Sequence, residues 1–189
     1  TFQLPVANPL SVLVETELTF PAAGTYTGTL VDAAFPAALD ILEGYLFYGS
    51  EPVARFTPGT PVTFNAPAAS TPGPTQYKLV LGADAAAAAR AGLFGLRIAG
   101  GPANATVYDV ATPVGELAAG RAFANPAAGQ LTLELADPAF PAALASVGAL
   151  LTGGGVPLGM LAAPGSTTVT APAANLVLWT HAVAGSSAG

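Results

Sequence analysis

The side chains that could carry chemistry are few, and His181 is the single histidine in the 189 residues. A Ser–His–Asp triad would need a nucleophilic serine beside it. The nearest serines, Ser186 and Ser187, lie in a Gly- and Ser-rich stretch, and the sequence contains no G-x-S-x-G elbow. His181 follows Trp179 by two residues, which predicts that both side chains lie on one face of a strand. We therefore expect no enzymatic activity.

Metal and cofactor binding are not favoured either. Cysteine is absent, and a zinc site built almost entirely from carboxylates would be unusual. Asp32 and Asp137 hold matching places before two copies of the segment FPAAL. No Asp-rich loop supplies the roughly six to eight oxygens that calcium takes. We expect each aspartate to hydrogen-bond its own turn.

Two features could contact or carry a glycan. In the segment GYLFYG, Tyr45 and Phe47 share one face and are predicted to lie in the core. Tyr48 points the other way, so it is the candidate for a glycan contact. Asn104 begins an Asn-Ala-Thr sequon and is a possible glycosylation site.

The composition limits the class of protein. Apolar residues make up 52% and charged residues 8%, and the net charge is −6 with only five Lys and Arg. Because the five cations are scattered, no basic surface for nucleic acid is predicted. The 22 Gly and 18 Pro favour short strands and tight turns over long helices. The most apolar stretch, 144–165, is interrupted by three consecutive glycines and Pro157, so we expect no membrane span.

An internal repeat organises the chain. The segment PAAGTYTGTLVDAAFPAAL at 21–39 aligns with PAAGQLTLELADPAFPAAL at 126–144, at a constant offset of 105 and with 13 of 19 positions identical. Each copy alternates apolar and polar residues and is bounded by Gly and Pro, as strands are. The fold predicted is all-β, with two tandem β-sandwich (jelly-roll-like) domains and an extra N-terminal strand.

The two copies differ at their ends. The first runs on into AGLFGLRIAGG, which alternates as a closing strand, and the second has no corresponding segment. The predicted divisions are therefore an N-terminal extension and candidate donor strand at 1–13, a first repeat at 14–103, a linker or bridging strand at 104–115, and a second repeat without its closing strand at 116–189.

Three segments of the first repeat resemble a known type of module. Ala23–Tyr26, Phe35–Ala38 and Gly92–Ile98 are similar to the turn and strand motifs of Ala- and Gly-rich β-sandwich repeats in secreted bacterial proteins, of the pre-peptidase C-terminal type. The resemblance implies a secreted, accessory module that is adhesive or carbohydrate-associated rather than catalytic. A first residue of Thr rather than Met is expected if a signal peptide has been removed.

The N-terminal 20 residues carry apolar side chains mainly at even positions, as one face of a long strand would. A strand in excess at one end and one lacking at the other predict strand donation between subunits. The predicted donor residues are Phe2, Leu4, Val6, Leu10 and Val12. The predicted residues beside the receiving groove are Leu176, Val177, Leu178 and Trp179.

The leading hypothesis is a pilus-like, head-to-tail homopolymer outside the cell or on its surface. Three alternatives stay open for the incomplete repeat. The N-terminal strand could fold back within its own chain, residues 105–114 could fill the gap, or the closing strand could lie outside the given sequence. The second function hypothesis is a monomeric secreted module that binds polysaccharide or a cell surface.

Overall fold

A computed structural model describes residues 10–67, 77–139 and 142–185, and every regular element in those ranges is a β-strand. The predicted all-β class is confirmed, with packed antiparallel sheets consistent with a β-sandwich. The strands of the first repeat unit are β1 (Ser11–Leu18), β2 (Gly24–Asp32), β3 (Leu39–Tyr48), β4 (Glu51–Phe56), β5 (Val62–Ala66), β6 (Tyr77–Ala85), β7 (Ala91–Gly100) and β8 (Ala105–Gly115).

The first unit is a sandwich of two four-stranded sheets, ordered β1-β6-β3-β4 and β5-β2-β7-β8. Alternation in β2 sets its faces as predicted, because Tyr26 and Leu30 are buried while Thr25 and Thr27 are exposed. The core between the sheets contains Leu79, Leu81 and other residues of β6 opposite the apolar residues of β7. The inward side chains of β7 are Phe94, Leu96 and Ile98.

The second unit repeats part of this arrangement. Its strands are β9 (Arg121–Asn125), β10 (Gly129–Leu135), β11 (Ser146–Gly153), β12 (Val156–Leu161), β13 (Gly165–Ala171) and β14 (Ala174–Val183). The order β12-β11-β14-β9 copies β4-β3-β6-β1, and the two-stranded sheet β10-β13 copies β2-β5. Tyr26 faces Phe64 in the first unit, and Leu131 faces Val169 in the second, so the offset of 105 extends to strand register.

The four sheets stack in one series of layers. A second hydrophobic cluster joins Leu93 of β7 to Leu150 and Trp179 of the second unit. At the same contact the backbones approach closely, since a Cβ added to Gly95 would collide with the backbone of Gly155. A third cluster lies between the β12-β11-β14-β9 sheet and the β10-β13 sheet. The two units therefore share a core where they meet.

The structure differs from the predicted divisions at two places. Ser11 to Leu13 are part of β1, which pairs along its whole length with β6, so the predicted extension 1–13 overlaps the first sandwich. Residues predicted as a linker or bridging strand at 104–115 form β8, which pairs with β7. The alternative in which 105–114 fills the second unit is therefore wrong. Val114 explains the assignment, since its side chain is buried in the first core.

Candidate functional site

The predicted groove residues on β14 are mostly core. β14 is an inner strand, paired with β11 on one side and, from Ala174 to Leu178, with β9 on the other. Leu176 is fully buried, and Val177 packs against the cluster between the units. Trp179 is 6% exposed and donates from Nε1 to Thr152 Oγ1 at 3.1 Å. Val177 and Leu178 are half-buried, and Leu178 lies on the same face of β14 as Leu176.

The structure describes two of the five predicted donor residues. Leu10 and Val12 pack against the core of their own first unit, and Leu10 accepts a hydrogen bond from the Ala85 backbone at 2.8 Å. The two side chains are thus part of the first sandwich in this chain. The remaining predicted donors, Phe2, Leu4 and Val6, lie outside the described residues.

The second unit has an unpaired strand edge where the first has a neighbour. In the first unit β2 lies between β5 and β7. Its counterpart β10 pairs with β13 on one side, and no strand in the described ranges pairs with the other. The strand that corresponds to β8 is also absent from the residues described.

The same absence leaves one face of β14 uncovered. Leu18 faces Tyr77 in the first unit and Phe123 faces Leu176 in the second, which aligns β6 with β14. The three β6 side chains beneath β7, which are at most 2% exposed, are Leu79, Leu81 and Ala83. Their counterparts on β14 are the half-buried Leu178 and the exposed Thr180 and Ala182.

These features together form one apolar groove, called here the acceptor groove. One wall is the free edge of β10, whose inward side chains are half-buried: Leu131, Leu133 and Leu135. The floor is the uncovered face of β14. Phe123 lies at the margin and is 41% exposed, whereas its counterpart Leu18 is 6% exposed. An unpaired edge beside uncovered apolar side chains is the arrangement that accepts an added strand.

The matched aspartates bind their own turns, as predicted. Asp32 Oδ1 accepts from the Ala34 backbone at 2.8 Å, and its Oδ2 accepts from Leu39 at 2.9 Å. Asp137 makes the equivalent pair of bonds with Ala139 and Leu144. Both carboxylates are thereby used in fixing the bend before FPAAL. The described residues contain no cluster of three or more His, Cys, Asp or Glu that could hold a metal ion.

His181 lies at the junction of the two units. It borders a cavity of about 310 Å³ whose other walls include Phe35, Gly148 and Met160. Its surroundings are therefore mainly apolar. Ser186 and Ser187 lie outside the described residues.

The aromatic residues of β3 have the opposite orientation to the one predicted. Tyr48 packs inward, with its ring centroid 5.0 Å from that of the buried Tyr77. Tyr45 and Phe47 lie on the outer face, stacked at 6.2 Å with an interplanar angle of 27°. The reason is that Leu46 between them is fully buried, which turns both neighbours outward.

The outer face of β3 is also polar near this pair. The Arg55 guanidinium lies 5.6 Å from the centre of the Tyr45 ring. Glu43 Oε2 accepts from Tyr45 Oη at 3.0 Å and from Arg55 at 3.1 Å. The predicted sequon residue Asn104 is exposed in the turn between β7 and β8.

Comparison of the chain with protein-family models, curated proteins and solved structures finds no match. Among the residues that the structure describes, no helix is long and apolar enough to cross a membrane.

Proposed function

We propose that this chain is a non-enzymatic subunit of an extracellular or cell-surface filament, and that it polymerises by donating its N-terminal strand to the next subunit. The observation that carries the proposal is the acceptor groove. The first unit fills the corresponding space with β7, and the second leaves Leu178, Thr180 and Ala182 without that cover.

The N-terminal sequence has the pattern of the strand that is lacking. In β7 the core side chains are Phe94, Leu96 and Ile98, followed by Ala99. The N-terminus reads TFQLPVA, which places a phenylalanine, a leucine, a valine and an alanine at the same spacings. Because its apolar side chains alternate, the segment presents one apolar face to the groove whichever way the strand runs. This match supports residues 1–9 as the occupant.

Donation within one chain is disfavoured by distance. The layers lie in the order β1 sheet, β7 sheet, β14 sheet and β10 sheet, and packed sheets are about 10 Å apart. The first and fourth layers are therefore separated by about 30 Å. If Phe2 to Val6 lay along β10, Leu10 would follow Val6 by only four residues, which span at most about 14 Å when extended. The groove is thus better reached by a second copy.

Head-to-tail donation has a defined consequence for assembly. The donor segment precedes the first unit, and the groove belongs to the second, so each subunit offers one of each. Such a heterologous contact produces an open filament unless the rotation between subunits closes a ring. Burying a Phe, a Leu and a Val contributes about 1.5–3 kcal/mol for each side chain before ordering costs.

The test compares the full chain with a variant that lacks residues 1–9, which leaves all of β1 in place. Light scattering and negative-stain microscopy should show filaments for the full chain and monomers for the truncated one. The matched pair of point variants is Leu4→Asp, which places a charge on the donor's apolar face, and Gln3→Asp, which places it on the opposite face. Leu4→Asp should abolish filaments, and Gln3→Asp should keep them. Monomers from the full chain would refute the proposal.

The cellular location is tested separately. Brief protease treatment of intact cells should degrade the protein if it is displayed outside the cell. An internal protein of the same cells is the control and should stay intact. Protection of both proteins would contradict the extracellular part of the proposal.

A monomeric glycan-binding module is the second candidate, favoured by the stacked Tyr45 and Phe47 on an outer sheet face. Aromatic faces beside polar groups are suited to sugar rings. If this function is correct, Tyr45→Ala should remove retention on insoluble polysaccharides. Leu13→Ala is the control, since Leu13 is 67% exposed and lies on β1 of the same sheet, separated from β3 by β6. Binding unaffected by Tyr45→Ala would contradict this candidate.

A further inference from the structure

We infer that the donated strand pairs with the free edge of β10 and runs parallel to it, rather than antiparallel as β7 does to β2. The inference rests on the proposed function and deepens it by assigning the partner strand, the direction and the register. It also moves the binding edge from β14, where the sequence placed it, to β10.

The first unit shows which backbone groups the edge presents. Ala33 N donates to Leu93 O at 3.0 Å, and Gly101 N donates to Thr25 O at 2.9 Å. The register between β2 and β7 is unbroken between these bonds. Odd-numbered residues of β2 therefore point their N–H and C=O groups at β7, and these include the outward-facing Thr27.

The same groups are identified in β10 through the repeat. The register of β10 on β13 equals that of β2 on β5 at an offset of 105. Gln130, Thr132 and Glu134 are the counterparts of residues 25, 27 and 29. They therefore point their backbone groups away from β13, towards the free edge. Their side chains face outward and are exposed.

The direction of the donated strand determines which of its residues form backbone hydrogen bonds with β10. In an antiparallel pair, residues opposite each other share a face and either both bond across the pair or both do not. The outward-facing donor residues, including Pro5, would therefore bond to β10. In a parallel pair, a residue bonds to the two neighbours of the one opposite it. The inward-facing Phe2, Leu4 and Val6 would then form the ladder.

The prolines distinguish the two directions. Pro5 and Pro9 have the same parity, opposite to that of Phe2, Leu4 and Val6. Proline has no backbone N–H, so an antiparallel donor would leave two β10 carbonyls without a partner. In a parallel donor, the backbone nitrogens of both prolines point to the outer edge of the donated strand, away from β10. The hydrogen-bond ladder between the donated strand and β10 is then complete.

The parallel arrangement also accounts for the second absent strand. A strand with prolines on its outer edge is a poor template for further pairing. The donated strand would therefore end the sheet, and no counterpart of β8 would be needed. Its inward residues would lie opposite those of β10, with Phe2 facing Leu131, Leu4 facing Leu133 and Val6 facing Leu135.

Disulfide trapping tests the direction, because the chain has no cysteine of its own. Thr132 would face Gln3 in the parallel register and Ala7 in an antiparallel register that copies β7. Adjacent strands are about 4.8 Å apart, which is within the Cα separation of disulfides. We would therefore prepare three double variants: Gln3→Cys with Thr132→Cys, Ala7→Cys with Thr132→Cys, and the control Gln3→Cys with Thr27→Cys. Thr27 is the counterpart of Thr132 on a strand whose edge β7 already occupies.

The expected result is a ladder of covalent multimers from the Gln3 and Thr132 pair after mild oxidation, with monomers from the other two pairs. Multimers from the Ala7 and Thr132 pair would overturn the parallel direction. Intact filaments without cross-links in either pair would overturn the β10 edge while leaving strand donation in place. If the chain without cysteine substitutions forms no filaments, the proposed function itself is refuted. Light scattering of that chain distinguishes this outcome from the other two.

Discussion

The acceptor groove makes a differential prediction for two equivalent leucines. Leu79 of β6 is fully buried beneath β7, and its counterpart Leu178 of β14 is half-buried beside the uncovered face. If the groove is empty in an isolated subunit, Leu79→Ala and Leu178→Ala should differ in their cost to folding, although the two positions are related by the repeat.

The magnitudes follow from burial. Truncating a fully buried leucine costs about 2–5 kcal/mol, because it removes transfer free energy and leaves a cavity. Leu178 retains part of its exposure, so Leu178→Ala should cost the monomer about 1 kcal/mol. Once a donated strand covers the site, the same substitution should weaken assembly by about 1.4 kcal/mol or more, which is at least about a tenfold rise in critical concentration.

The assay has two parts. Urea denaturation of the variant lacking residues 1–9 measures the free energy of unfolding of the monomer for each substitution. Light scattering of the full chain against concentration measures assembly. Leu13→Ala is the surface control and should change neither quantity, since Leu13 is 67% exposed. Equal destabilisation of the truncated monomer by Leu79→Ala and Leu178→Ala would refute the reasoning, because it would mean that the groove is already filled.

Three further predictions follow from the packing and electrostatics. Thr180→Leu should lower the critical concentration for filaments, measured by light scattering, because it adds apolar surface to the groove floor; an unchanged value would contradict this. Gly95→Ala should lower the melting temperature, at a cost of about 1–3 kcal/mol, because its Cβ collides with the backbone of Gly155. The control is Gly82→Ala, whose Cβ meets nothing within 4 Å. Burial raises the pKa of Tyr77 above its usual value, so the unfolded chain loses this proton first and urea denaturation should show stability falling as pH rises above about 10. Stability that is flat or rising there would contradict the assignment.

The repeat predicted that the two units differ at the position of β7. Two copies at a constant offset showed that the second has no segment like β7, and the matched aspartates could be assigned to their turns. The alternation of apolar and polar residues did not show where each sheet lies in the stack of four. The run from Leu176 to Trp179 is apolar at every position, as expected of a strand covered on both faces. The sequence did not show that the first unit's sheet covers one of those faces.

Two other misassignments have local causes. Residues 104–115 lie between the two copies of the repeat, so they were predicted as a linker or bridging strand. In the structure Asp109 Oδ1 accepts from Gly155 N at 2.6 Å, which links the strand to the second unit. The faces of Tyr45 and Phe47 were assigned by treating large aromatic side chains as core. The burial of Leu46 determines the opposite orientation.

The layered packing also changes which features support assembly. From Pro138 to Thr180 the sequence has no charged residue, a depletion that alone suggests a surface covered by another subunit. Much of it has a simpler cause, because Leu150 and Leu151 of β11 are buried on opposite faces within the chain's own stack. The depletion therefore does not measure an interface between subunits. The specific support is narrower, namely the free edge of β10 and the uncovered face of β14, since these are the places where the first unit has β7 and the second unit, as described, has no strand.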